Sequence, residues 1–224
     1  MKHTKKIFKE NIVKLLQQQG TDEVLSEAAL PAYAHSNPLI DYIFWRRLIS
    51  ASDCISQHCK PGAKILDFGC GTGVFSYEIA SKGYVTTSVD LDLKPVELLK
   101  KYIDYPITID FREGEVFTLN LEENSYDAIV ALDVLEHIPI DELPKYIEKF
   151  KSLLREGGCI IVSGPTENIL YKMGRKFAGK DFTGHYHETT ISKIKAVFSR
   201  SFEVKLLSKL LWPLTLFEVF YVKK

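Results

Sequence analysis

One stretch constrains this chain more than any other: Ile65–Leu66–Asp67–Phe68–Gly69–Cys70–Gly71–Thr72–Gly73. An apolar, strand-like run enters three alternating glycines, and helical spacing resumes at Val74. Glycine suits a backbone that must turn sharply and let a ligand approach without meeting a Cβ. The helix beyond such a turn offers unpaired amides to a negative group. The glycines alone do not name the ligand, because dinucleotide folds also carry a glycine turn after their first strand. Two details separate the readings. Counted from Gly69 or from Gly71, the dinucleotide pattern wants glycine where Val74 and Ser76 stand. Asp67 attracts a ligand ammonium and would repel a pyrophosphate. Asp90, ending the run TTSVD about 20 residues after the turn, is placed to accept hydrogen bonds from ribose hydroxyls.

From Pro61 onward, short apolar runs alternate with helical ones. Strands are expected at Lys64–Phe68, Tyr84–Val89, Ile107–Phe111, Ala128–Leu132 and Cys159–Ser163. Helices are expected at Val74–Ser81, Lys94–Lys101, Asp141–Leu154 and Thr190–Phe198. Near-continuous apolar strands in β-α-β-α order imply a parallel sheet buried on both faces, a doubly wound α/β fold. Two final runs, Phe202–Leu207 and Leu216–Val222, flank Trp212–Pro213 and read as an antiparallel hairpin. Residues 1–60 are helical in pattern, with Ile7, Phe8, Ile12, Val13, Leu15, Leu16, then Leu39, Ile43, Leu48 and Ile55 at helical spacing, and Pro31 and Pro38 as breaks. The expected organisation is a helical cap at 1–60 and a binding domain at 61–224, with 164–188 as an insertion or substrate lid.

The chain has 224 residues, with 29 Lys/Arg balancing 29 Asp/Glu, and that neutrality argues against bulk nucleic-acid binding. The balance is uneven: residues 61–144 carry 6 Lys/Arg against 16 Asp/Glu, and residues 145–224 carry 15 against 7. The basic C-terminal part can select an anionic substrate. No apolar run is long enough to span a membrane, and the first residues lack the apolar core of a signal peptide, so a cytoplasmic protein is expected. Cys54, Cys59, Cys70 and Cys159 form no metal-finger spacing and read as buried reduced thiols.

These motifs together resemble the class I S-adenosylmethionine-dependent methyltransferases, in the broad group typified by ubiquinone and menaquinone biosynthesis enzymes. FREGEVFTLNLEENSYD (111–127) resembles the family's adenine-reading stretch, AIVALDVLEHI (128–138) its fourth strand and following loop, and LLREGGCIIVS (153–163) its fifth strand. The resemblance covers residues 61–163 by motif and 189–224 by topology alone. It implies a seven-stranded Rossmann-like sheet in the order 3-2-1-4-5-7-6 with strand 7 antiparallel. It also implies S-adenosylmethionine as cofactor, cradled by Asp67, Gly69, Gly71, Gly73, Asp90, Leu91, Glu115, Val116 and Leu132. In that carry-over Glu115 takes the exocyclic amine and the Val116 backbone the ring edge.

The expected activity is methyl transfer to a small-molecule or lipid-type acceptor, at oxygen, nitrogen or carbon. Asp133 and His137 after strand four, and His185 and His187 in the insertion, are the catalytic candidates, each also readable as a loop-ordering or cofactor-side residue. Asp133, Glu136 and His137 also resemble the metal-binding motif of some O-methyltransferases, although Asp stands at 133 where that motif has Glu; no metal is assigned. Lys172, Arg175, Lys176 and Lys180 are either a solvated face or a seat for an anionic acceptor or membrane surface. A cofactor-binding sensor or partner subunit is the alternative to an enzyme; a nicotinamide oxidoreductase fits poorly. The chain is expected to be a monomer or homodimer.

Overall fold

The computed structural model describes residues 1–19, 30–166, 188–210 and 215–224. Helices α1 (Lys2–Gln19), α2 (Leu30–Tyr33) and α3 (Pro38–His58) precede the sheet. Then come β1 (Lys64–Phe68), α4 (Val74–Ala80), β2 (Val85–Asp90), α5 (Lys94–Leu99), β3 (Ile109–Glu113) and β4 (Tyr126–Leu132). A 3-10 turn (Leu135–His137), α6 (Leu143–Leu153), β5 (Leu154–Pro165), α7 (Ile191–Phe198), β6 (Val204–Leu210) and β7 (Phe217–Lys223) complete the chain. The strands form one sheet in the order β3-β2-β1-β4-β5-β7-β6. β1 to β5 pair in parallel, while β7 runs antiparallel to both β5 and β6.

Successive strand side chains point to opposite faces, so a strand covered on both sides must be apolar throughout. In β1 and β4, Ile65, Ala128 and Val130 enter one core, and Leu66, Ile129 and Ala131 enter the other. The first core is completed by Phe8, Ile12 and Leu15 of α1 and by Trp45, Leu48, Ala51 and Ile55 of α3. The N-terminal helices therefore share their apolar interior with the sheet. The second core is roofed by α6 and α7 through Ile147, Phe150, Leu153, Ile194 and Phe198.

The helix starts follow local chemistry. Asn37 accepts a hydrogen bond from the Leu39 amide at 2.9 Å, and Pro38 fills the first helical position, where its missing N–H costs nothing. The proline that reads as a break in the sequence is thus the opening of α3. Thr190 caps α7 in the same way, accepting from the Lys193 amide. β3 begins two residues later than expected: the Ile109 amide bonds the Pro106 carbonyl in a turn, leaving Ile107 exposed.

Candidate functional site

All three glycines of the turn have left-handed φ, at 72° for Gly69, 52° for Gly71 and 70° for Gly73, which side chains with a Cβ rarely adopt. Close packing adds to the requirement at Gly69, where a Cβ would lie 2.5 Å from Val134 Cγ2. The glycine turn after β1 and the turn after β4 are therefore in direct contact. The Gly69 and Cys70 amides donate to the Val89 carbonyl at 2.8 and 3.1 Å, fixing the loop to the carboxyl end of β2. The Gly71 amide donates to Asp90 Oδ2 at 2.6 Å, so the second acid stands against the turn from the neighbouring strand. Tyr105 braces it from below, donating its hydroxyl to the Thr72 carbonyl at 2.7 Å while packing edge-on against Phe8 of α1.

Asp67 is 2% exposed and accepts from the Ser76 hydroxyl, which in turn accepts from Ser88 at 2.8 Å. Burial pushes its carboxyl up to about 7, against the lowering effect of Ser76. Burial also raises Asp90, outweighing the amides of Gly71, Asp92 and Leu91 that favour its anion. Leu91 is exposed beside it, and the Leu93 amide at the start of α5 donates to Glu113 at 3.0 Å. Glu115 is exposed after β3, with its carboxylate beside the Tyr146 hydroxyl, while Val116 is fully buried. Leu132 is half-buried at the end of β4. Buried Thr72 keeps a hydroxyl without a hydrogen-bond partner inside the turn. Left-handed glycines beside the Asp90 carboxylate at the carboxyl ends of β1 and β2 suit the hydroxyl-bearing sugar of a nucleoside.

Beyond β4, Asp133 has a φ of 54°, uncommon for a residue with a side chain. Its Oδ1 accepts from the Ser163 hydroxyl at 2.7 Å, and its Oδ2 forms an ion pair with Arg47 of α3. Glu136 is buried, and its carbonyl accepts from the Glu188 and Thr189 amides at 2.8 and 3.2 Å, while His137 is exposed. His185, His187, the four basic residues of the insertion and Trp212–Pro213 lie outside the described residues. Among the described residues, no cluster of three His, Cys, Asp or Glu side chains is arranged to hold a metal. Arg47, Ser76, Tyr105 and Glu113 were not among the expected site residues. Only Arg47 left a usable trace: it falls on the apolar helical row of Ile43, Ala51 and Ile55, where a charge needs a partner.

The fold is of the doubly wound kind that binds nucleotides at the carboxyl ends of its strands, and sequence comparison narrows the class. Residues 40–201 match the family described as "Methyltransferase domain". The chain belongs to that family, the class I S-adenosylmethionine-dependent methyltransferases. It is similar to a ubiquinone biosynthesis O-methyltransferase of Xanthomonas campestris, 30% identical over 65% of this chain and 64% of that protein. The chain spans 45% to 64% of the length of the first curated relatives it matches. Among solved structures it resembles the magnesium protoporphyrin IX methyltransferase of Synechocystis with bound SAH, with a TM-score of 0.57, 20% identity, and coverage of 80% of this chain and 82% of that one. It also resembles the 1,6-didemethyltoxoflavin-N1-methyltransferase of Burkholderia thailandensis, with a TM-score of 0.61, 19% identity, and coverage of 90% and 87%.

Proposed function

We propose that this chain transfers the methyl group of S-adenosylmethionine to a hydroxyl or amine of a small-molecule acceptor, with a hydroxyl as the leading case. The observation that carries the reading is the Gly71–Asp90 contact, which sets backbone amides and a carboxylate together at the carboxyl ends of β1 and β2. In this reading Asp90 accepts from the ribose hydroxyls, Leu91 flanks the adenine, the Val116 backbone meets the ring edge, and Glu115 receives the exocyclic amine. Asp67, with Gly69, Gly71 and Gly73, faces the amino-acid end, and Leu132 closes the β4 side. The cofactor supplies an electrophilic methyl group on a sulfonium. The chain's own task is to position the acceptor in line with that group and exclude water.

Asp133, His137, His185 and His187 are the proposed acceptor-side residues. The preference for a hydroxyl rests on the likeness to a ubiquinone biosynthesis O-methyltransferase. A small-molecule acceptor is also supported by the solved protein with bound 1,6-didemethyltoxoflavin. The basic segment 172–180 favours an acceptor with an anionic group. No described helix is long and apolar enough to cross a membrane, and all four cysteines are free, in keeping with a cytoplasmic enzyme.

The test is calorimetric binding of S-adenosylmethionine and its demethylated product, followed by labelled methyl transfer to 3,4-dihydroxybenzoate and related catechols. Asp90→Ala should weaken cofactor binding by about 1–3 kcal/mol through loss of a charged hydrogen bond. Unchanged affinity in that variant would remove Asp90 from the cradle, and binding without transfer to any phenol or amine would leave the sensor alternative standing.

A further inference from the structure

Arg47 is the least expected charge in the molecule. It belongs to α3, outside the strands that form the cofactor cradle, yet its side chain is only 4% exposed. Its guanidinium lies 4.3 Å from the Phe44 ring centre, with the Tyr33 and Phe217 rings at 5.7 and 5.8 Å. It donates to the Tyr33 hydroxyl at 3.1 Å, and its Nε has no hydrogen-bond partner. Burying a guanidinium among aromatic rings is costly without a counter-ion, and Asp133 is that counter-ion.

Asp133 is held from both sides, by Arg47 on one oxygen and by the Ser163 hydroxyl on the other, on a backbone with left-handed φ. Strained backbone of this kind persists where surroundings enforce it, commonly at functional sites. The Asp133 side chain keeps 15% exposure, while its Oδ2, the oxygen facing Arg47, is buried. Its neighbour Val134 touches the glycine turn at Gly69, which brings this carboxylate to the β1–β4 junction. Other charges nearby are committed elsewhere or lie further along: Glu218 of β7 accepts from Lys195 of α7, and Glu136 and His137 follow in the 3-10 turn.

We propose that Arg47 and Asp133 are a matched charge pair at the methyl-donor end of the site, with Asp133 a fixed anion toward the sulfonium and Arg47 the positioning residue that orients and balances it. The inference rests on the methyltransferase reading above. An unbalanced carboxylate would hold the sulfonium more tightly than the transition state, in which that charge is dispersing, and so would slow transfer. Arg47 offsets that excess. Held by the Ser163 hydroxyl on one oxygen and paired with Arg47 on the other, Asp133 orients the acceptor's N–H or O–H by accepting from it.

S-Adenosylmethionine and S-adenosylhomocysteine differ by one methyl group and one positive charge, so the ratio of their dissociation constants reads the local charge. Calorimetry on the full chain would compare wild type with Asp133→Asn, Arg47→Met, Arg47→Lys and the double variant Arg47→Met/Asp133→Asn. Asp133→Asn, leaving an unbalanced cation, should shift the ratio against S-adenosylmethionine about fivefold or more, and Arg47→Met should shift it the other way. Arg47→Lys and the double variant should return it toward wild type, with S-adenosylhomocysteine affinity within about threefold throughout. A purely structural ion pair would weaken both ligands together and leave the ratio unmoved, which would overturn the inference. If Arg47→Met does not fold, Asp133→Asn and Arg47→Lys carry the same comparison. Wild type that binds neither nucleoside would instead overturn the methyltransferase reading itself.

Discussion

On the β1–β3 side of the carboxyl edge, the groups that meet are near neighbours in sequence: Gly71 bonds Asp90, and Asp67 bonds Ser76. On the β4–β5 side, Asp133 is held by Ser163, 30 positions on, and by Arg47, in a helix that precedes the sheet. In the proposed reading the cofactor half is thus built mostly from backbone geometry, which a short motif encodes, whereas the acceptor half is assembled from side chains that only the finished fold brings together. One half can stay nearly constant while the other is rebuilt for a different acceptor, because the two share few groups. They do share the contact between Gly69 and Val134.

That contact gives the largest expected effect. Gly69→Ala combines left-handed backbone with a Cβ 2.5 Å from Val134 Cγ2, and should lower stability by about 2–4 kcal/mol and abolish cofactor binding. Thermal melting checks it, and partial rescue by Val134→Ala would show that the two halves press on each other there. A Gly69→Ala protein that melts like wild type would separate them.

Asp67 gives the next effect, and it carries a sign. Native Asp67 keeps its proton up to about pH 7, whereas the ordinary value is 3.8, so the native state binds more protons across that window. Stability should therefore fall as pH rises from about 4 to 7. Asp67→Asn should flatten this dependence and stabilise the ligand-free protein near pH 8 by roughly 1–3 kcal/mol, while weakening cofactor binding. Denaturation at pH 5 and pH 8 tests it; equal pH dependence in both proteins would mean that Asp67 titrates normally.

The smallest effect concerns the brace under the turn. Tyr105→Phe removes only the hydroxyl that bonds the Thr72 carbonyl, and should cost about 0.5–1.5 kcal/mol of cofactor affinity with little change in acceptor-side behaviour. A variant that alters acceptor recognition as much as cofactor affinity would blur the division between the halves.

The same division explains what could be read beforehand. Strand order, the antiparallel β7 and the glycine turn were legible because apolar runs, glycines and a family resemblance all bear on contiguous sequence. Strand ends were less so: β5 spans Leu154–Pro165, beyond the apolar run at its centre, because backbone pairing with β4 and β7 continues past the side chains that advertise it. Asp133 could be singled out from its place after β4, but not its partner. The pairing of Arg47 with Asp133 depends on how α3 lies on the sheet, and no local pattern records that. Tyr105 and Ser76 are ordinary residues on helix or loop surfaces until tertiary packing sets their hydroxyls against the turn.

The insertion of β7 between β5 and β6 also governs the order in which the molecule can come together. A ribosome delivers β6 before β7, yet every sheet hydrogen bond of β6 is made to β7. Until β7 emerges, β6 has no place in the sheet and the edge of β5 stands open, with Ile160 and Val162 on a surface later closed by Phe220 and Val222. An unpaired strand beside an open apolar edge is a common starting point for association between nascent chains. For this fold, that edge stays open until the seventh strand has been made.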